Sequence, residues 1–263
     1  MDLGIRDRVA IVAASSRGLG QAVARGLAKE GAKLALCARG SAALDAAAGE
    51  IRRETGAEVM THALDVTDYD EVCRFVAAVV ERFGRLDICV ANAGGPPAKS
   101  FAETTIEDWR AAADLNLMST VYFAKEALPV MQKHQWGRFI SITSVAVKQP
   151  VDGLVLSNAV RSGVSGLIKT LANEYGRYGV LVNNVCPGYT ATARLVELSR
   201  TLAAREAVDP AEIEARWASQ TALGRVGQPG EFADLVVYLA SERATYITGA
   251  CIAVDGGLIK GVY

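Results

Sequence analysis

The sequence predicts an α/β fold: a doubly wound parallel sheet of seven strands, with helices on both faces. Two observations predict it. Apolar runs of strand length alternate with longer stretches of helical spacing along the 263 residues, which is the signature of repeated βαβ units. The apolar content, 51%, is enough for a sheet buried on both faces. A chain of this length folds around a single core. No repeat, low-complexity tract or linker divides it, so one domain over 1–263 is expected.

Taken in order, strands are expected near Val9–Ala14, Lys33–Ala38, Glu58–Leu64, Leu86–Ala91, Gly137–Thr143, Val180–Cys186 and Cys251–Val254. Helical spacing fills Gly18–Glu30, Ser41–Glu54, Tyr69–Phe83, Ile106–Lys133, Asn158–Tyr178 and Glu231–Ala240. The first strand runs into the small, polar turn Ser15-Ser16-Arg17-Gly18-Leu19-Gly20 and then directly into a helix. Strand, small turn and helix together aim backbone N–H groups at a phosphate. The same turn also closes strands onto helices where nothing binds.

The second strand ends Leu36-Cys37-Ala38-Arg39, with no acid between Leu34 and Gly40. In dinucleotide sites an acid at this place accepts the ribose 2′-hydroxyl, whereas an arginine accommodates a 2′-phosphate. Arg17 in the first turn supplies a second guanidinium. Together they point to NADP(H) rather than NAD(H), against the plainer reading of two solvated arginines.

The one long departure from the βα rhythm is Pro187–Gln228, with two short helical patterns at Ala193–Ala204 and Pro210–Thr221. It lies beyond a strand's C-terminal end, where ligands of such sheets bind. A lid insertion at about 188–228 is therefore expected, with a plain surface excursion as the competing reading. Leu195, Val196, Leu198 and Leu202 suit packing onto the body of the domain better than a ligand. Arg194, Arg205 and Arg216 are candidates for meeting an acidic group, against the reading of solvated helix charge.

A formal net charge of −1 without basic runs argues against nucleic acid or an anionic membrane as partner. No stretch approaches the ~20 apolar residues that span a bilayer, and the N-terminus does not read as a signal peptide. Cys37, Cys73, Cys89, Cys186 and Cys251 are widely spaced and read as buried thiols of a cytoplasmic protein. With only His62 and His134 and no clustered ligands, no metal site is expected. Both histidines are read as surface or helix-end residues.

These pieces, in this order, resemble the short-chain dehydrogenase/reductase family, and 3-oxoacyl-acyl carrier protein reductase-type members in particular. The family's first turn reads T-G-x-x-x-G-x-G. Gly18 and Gly20 match, but Ala13 and Ala14 replace the Thr and first Gly, and alanine asks for a milder turn than glycine. The resemblance implies a Rossmann-type fold with the cofactor held by Ser16, Arg17, Gly18, Leu19 and Gly20. It assigns the adenine contact to Asp65 and Val66, and the turn beside the cofactor to Asn92, Ala93 and Gly94. Asn183–Gly188 matches the family's N-x-V-x-P-G, which implies that Pro187 and Gly188 lie at the cofactor and that Thr190 and Thr192 meet its carboxamide and pyrophosphate; Thr248–Gly257 matches its closing T-G-x-x-x-x-V-D-G-G. Family members pair through that last strand and through the Asn158 helix, which implies a homo-oligomer, tetramer or dimer.

The family's active site is an Asn, a Ser and a Y-x-x-x-K pair. Asn116 and Ser144 fit the first two positions. Twelve residues separate Ser144 from the tyrosine position, and it holds Ser157; the lysine position holds Arg161. The ungapped match at Gly166–Ala172 gives the same register. The candidate catalytic residues are therefore Asn116, Ser144, Ser157 and Arg161, two of them replacements. A phenol starts near pKa 10, and an aliphatic hydroxyl lies closer to water's ~15.7. The gap is about 7–8 kcal/mol, beyond the ~3–5 units that protein environments supply. Ser157 cannot stand in as the acid, and Arg161 keeps the charge, to hold the nicotinamide ribose, without sharing protons.

Dienoyl-CoA reductases of this superfamily bring their tyrosine in two residues past the Ser144 position, where this chain has Ala146. The Y-x6-K spacing of enoyl reductases meets Leu154. Tyr189 remains as a substitute acid, with packing as its other reading. Hydride transfer between NADP(H) and a small carbonyl or alcohol substrate is the first expectation. A nucleotide-binding protein without turnover, serving as a sensor or oligomer partner, is the alternative.

Overall fold

The structure, a computed structural model, describes residues 2–262. Seven strands form one sheet in the order β3-β2-β1-β4-β5-β6-β7, and every neighbouring pair is parallel. They are β1 (Val9–Ala13), β2 (Lys33–Ala38), β3 (Val59–Ala63), β4 (Ile88–Ala91), β5 (Gly137–Ile142), β6 (Val180–Pro187) and β7 (Cys251–Val254). Parallel neighbours need crossover connections, and helices on both faces supply them. The apolar residues of β1 divide accordingly. Ala10 and Val12 face one buried cluster with α1 (Gly18–Lys29) and α9 (Pro229–Leu239). Val9, Ile11 and Ala13 face another with α3 (Tyr69–Phe83) and α5 (Ser119–Lys133).

The strand order reverses between β1 and β4, and that switch point opens a crevice at the strands' C-terminal ends. The opposite edge is sealed by Asp87, whose buried carboxylate accepts from Arg8, Arg85 and the Val9 N–H. Most elements fall within two residues of their expected bounds. The one helix expected over Ile106–Lys133 is instead α4 (Ile106–Ala113), a π-turn over Asp114–Met118, and α5. Helical spacing does not reveal a π-turn, because one extra residue barely disturbs the apolar period.

Beyond these come α2 (Ser41–Thr55), α6 (Val155–Tyr175), α7 (Ala193–Glu206) and α8 (Pro210–Gln220). The excursion after β6 carries α7 and α8 around its own small core of Ala203, Ile213 and Trp217, with Leu195, Leu198 and Leu202 against it. Val196 departs from the expected stripe and is exposed. His134 caps the C-terminus of α5, but His62 lies half-buried on β3 against Phe75, so the helix-end reading fails for it. Cys37, Cys89 and Cys186 are buried and Cys73 and Cys251 partly so, all five as free thiols. Among the described residues, no helix is long and apolar enough to cross a membrane, and no group of three metal-binding side chains gathers.

Candidate active site

The crevice is built first by the turn after β1. The Ser15 N–H donates to the Cys37 carbonyl at 3.2 Å, which binds the turn to the end of β2, the strand that Arg39 follows. Ala14 adopts φ +49° and Gly18 φ +63°. The milder turn expected of alanine is therefore not taken: Ala14 enters the left-handed region that favours glycine. The reason lies six residues further on. A Cβ at Gly20 would stand 2.4 Å from the Ala14 carbonyl oxygen and 3.0 Å from Asn92 Nδ2, so the turn is packed too tightly to relax. Asn92 completes the lock by donating to the Ala13 carbonyl at 3.3 Å.

No side chain caps α1. Among the described residues nothing accepts from the N–H groups of Gly18, Leu19 or Gly20, so they remain free for an anion. Arg17 and Arg39 are exposed, and neither joins the ion pairs of the described residues. The donor set therefore fits a phosphorylated dinucleotide. Asp65 is half-buried after β3, and one carboxylate oxygen accepts from the Thr67 N–H and hydroxyl. The other oxygen takes no bond among the described residues. Val66 is buried beside it.

The second half of the crevice holds the four candidate catalytic residues. Asn116 sits in the π-turn, 3% exposed. Its Nδ2 donates to the Gly94 carbonyl at 2.8 Å, while its Oδ1 is buried without a partner. Ser144 lies two residues past the end of β5, and its Oγ accepts from the Ala146 N–H at 3.1 Å. Ser157 is buried near the start of α6. Arg161, one turn later, is 6% exposed and donates to the carbonyls of Ile142, Thr143 and Gly94 at 3.2, 3.2 and 3.1 Å. Three of its five N–H groups are thus spent on backbone. Burial first, and the neighbouring Arg194 second, bring its pKa down to about 10.

The far wall comes from β6 and the excursion. Gly188 donates to the Val254 carbonyl at 2.9 Å, and a Cβ there would meet the Asp255 backbone at 2.7 Å, so only glycine passes. Thr190 donates to the Gly188 carbonyl, and Thr192 caps α7 while facing Gly18 across the crevice. Pro187 ends β6 in register with Val254. Tyr189 stacks on Trp217 with centroids 5.0 Å apart and donates to Gln220. Burial, with Asp152 adding to it, raises its pKa. Its geometry is that of packing, which leaves the substitute-acid reading without support.

Sequence reasoning placed Arg194 among solvated charges. Its Nη2 also donates to the Pro96 carbonyl at 2.8 Å, and Arg205 does the same to Ala98 at 3.0 Å. All three arginines are nonetheless exposed and meet a carboxylate, Arg194 with Glu197, Arg205 with Glu103 and Arg216 with Glu206, in keeping with solvated helix charge. A partner that is a backbone carbonyl about a hundred residues away leaves no mark in sequence spacing.

A family model described as Enoyl-(Acyl carrier protein) reductase matches residues 13–259. A putative ketoacyl reductase of Streptomyces coelicolor is 35% identical over 95% of this chain and 96% of its own length. A 3-oxoacyl-[acyl-carrier-protein] reductase of Synechocystis is 35% identical over 96% and 97%. Among solved structures, L-sorbose reductase of Gluconobacter frateurii, complexed with NADPH and L-sorbose, superposes with a TM-score of 0.94 at 33% identity, covering 100% of both chains.

Proposed function

Because the chain belongs to the short-chain dehydrogenase/reductase family, we propose that it is an NADP(H)-dependent oxidoreductase acting between a carbonyl and an alcohol, with a proton path of its own. One observation carries the reading: the free N–H groups of Gly18, Leu19 and Gly20 stand beside two unpaired cations, Arg17 and Arg39. Those donors suit a pyrophosphate and a 2′-phosphate. L-sorbose reductase, which shares the fold over the whole chain, is complexed with NADPH.

In this reading Ser16 and the glycine turn hold phosphate, and the open carboxylate oxygen of Asp65 and the Val66 backbone take the adenine. Asn92, Ala93 and Gly94 line the middle of the dinucleotide, and Pro187, Gly188, Thr190 and Thr192 close over it. Helices α7 and α8 form the lid of a single domain. The nicotinamide supplies or accepts the hydride when bound. Ser144 accepts the Ala146 N–H, which leaves its hydroxyl hydrogen for a substrate oxygen. Two N–H groups of Arg161 remain for the ribose. Ser157 passes protons only through water in the space that a phenol would fill. The half-buried edge strand β7 and the α6 face join copies into a homo-oligomer.

A second reading, NADP(H) binding without turnover, is favoured by two bonds. Arg161 spends three donors on backbone carbonyls, and the Tyr189 hydroxyl is turned to Gln220. Fluorescence titration with NADPH and NADH, followed by NADPH oxidation assays on ketones and enones, decides among them. Micromolar NADPH binding with weak NADH binding, and slow consumption with some carbonyl, is expected. Binding with no consumption leaves the second reading, and no binding of either nucleotide removes both.

A further inference from the structure

Two cations border the cleft, and among the described residues the buried one, Arg161, has no carboxylate partner. Arg161 forms the floor, buried, with neutral carbonyls as its hydrogen-bond acceptors. Arg194 forms the roof. Its guanidinium lies 3.4 to 3.8 Å from the point where a Cβ of Gly95 would stand, and it bonds the Pro96 carbonyl. The two guanidinia grip one short stretch of backbone, Gly94 to Pro96. Between them the space over Gly94 is open: nothing lies within 4 Å of where its Cβ would be.

The carboxylates nearby do not fill that space. Glu197 meets Arg194 at 3.3 Å from the exposed side, one turn along the same helix. Asp152 bears on Tyr189, on the excursion side. The two like charges repel, and an anion between them offsets both. Guanidinium forks are matched to planar carboxylates and to phosphates.

We propose that the substrate carries a carboxylate or similar anionic group, received by Arg194 over Gly94 in the field of Arg161. The inference rests on the cleft being the substrate site. Like any anionic subsite, this one could instead serve a phosphate of the cofactor, and the experiment separates the two sources.

Isothermal titration is made with levulinate and oxocyclohexanecarboxylate, each beside its neutral methyl ester, on free and NADP⁺-loaded protein. Wild type, Arg194→Gln and Arg194→Lys are compared, and NADPH affinity is measured for each. The expected result is an acid bound at least ten-fold more tightly than its ester. Arg194→Gln should erase that preference, Arg194→Lys should keep part of it, and NADPH affinity should hold steady. Equal binding of acid and ester, no binding of either, or a preference that survives Arg194→Gln overturns the proposal. So does an Arg194→Gln effect confined to NADPH affinity, which assigns the arginine to the cofactor. If NADPH itself does not bind, the oxidoreductase reading falls, while the acid-over-ester comparison on free protein still decides this one.

Discussion

Asn116 and Arg161 donate to one acceptor, the Gly94 carbonyl oxygen, at 2.8 and 3.1 Å. The π-turn and α6 thereby meet on the loop that follows β4. Through its other nitrogen, Arg161 also holds the end of β5. Arg161 is thus a clamp across the top of the sheet.

The clamp has a stability consequence. Arg161→Met removes three hydrogen bonds and leaves the Ile142 and Thr143 carbonyls short of a donor in a buried place, a loss of about 2–4 kcal/mol. Urea denaturation measures it. A variant within about 0.5 kcal/mol of the parent, the range of surface substitutions, shows the bonds to be incidental.

Ala14 offers the opposite case. An alanine held at φ +49° pays about 1–2 kcal/mol for the left-handed region, more than the ~0.4–1 kcal/mol that glycine costs through the unfolded chain. Ala14→Gly should therefore raise stability by about 0.5–1 kcal/mol, where a helical Ala→Gly change lowers it. A gain of roughly 2 °C in thermal midpoint is the reading, and a loss shows the turn to be unstrained.

That alanine marks where sequence legibility stopped. Periodicity located the strands and helices because burial on two faces leaves an apolar run. The proposal that Ser157 and Arg161 replace the reactive pair rests on the register that Ser144 sets, and the structure adds that both side chains are buried on α6. What spacing could not carry was a conformation enforced from elsewhere, such as the crowding of Ala14 by Gly20. Nor could it carry bonds from a side chain to distant backbone, such as Arg194 to Pro96 or the three bonds of Arg161. A side chain's identity says that it can donate, whereas only the fold says to what.

Cofactor choice tests the two exposed arginines. Arg39→Ala removes a charge-assisted contact worth about 1.5–3 kcal/mol. NADPH affinity should fall about ten- to hundred-fold while NADH binding stays the same. Parallel fluorescence titrations read both, and an equal loss for the two nucleotides places Arg39 away from the 2′-phosphate.

Acid should loosen the junction between the excursion and α9. Arg225 grips both oxygens of Glu231 at 2.6 and 2.8 Å, and the Gln228 N–H adds a third bond. Together they bring the Glu231 pKa down from 4.5 to about 2. With the folded value below the ordinary one, the contribution is complete above the ordinary value and is lost as pH falls through the folded value. Being exposed, it is small. Denaturation of Glu231→Gln should show a stability deficit near neutral pH that closes in strong acid. A deficit unchanged by pH argues against the ion pair as its source.

The replaced pair can be put back. In the proposed reading Ser157 takes the place of the phenol and Arg161 that of the ammonium, and both are buried. Ser157→Tyr alone restores an acid, but one whose neighbour has three donors committed to backbone and does not exchange protons. Adding Arg161→Lys frees that neighbour to lower the phenol's pKa and to carry a proton onward. A positioned general acid contributes about a hundred- to ten-thousand-fold. On any carbonyl that the parent reduces slowly, the double variant should therefore consume NADPH at least about a hundred times faster, with Ser157→Tyr in between. Circular dichroism and NADPH titration confirm that each variant folds and binds. If the folded, NADPH-binding double variant is no faster than the parent, proton delivery is not what limits this chain, and Ser157 and Arg161 belong to a route that never needed the phenol.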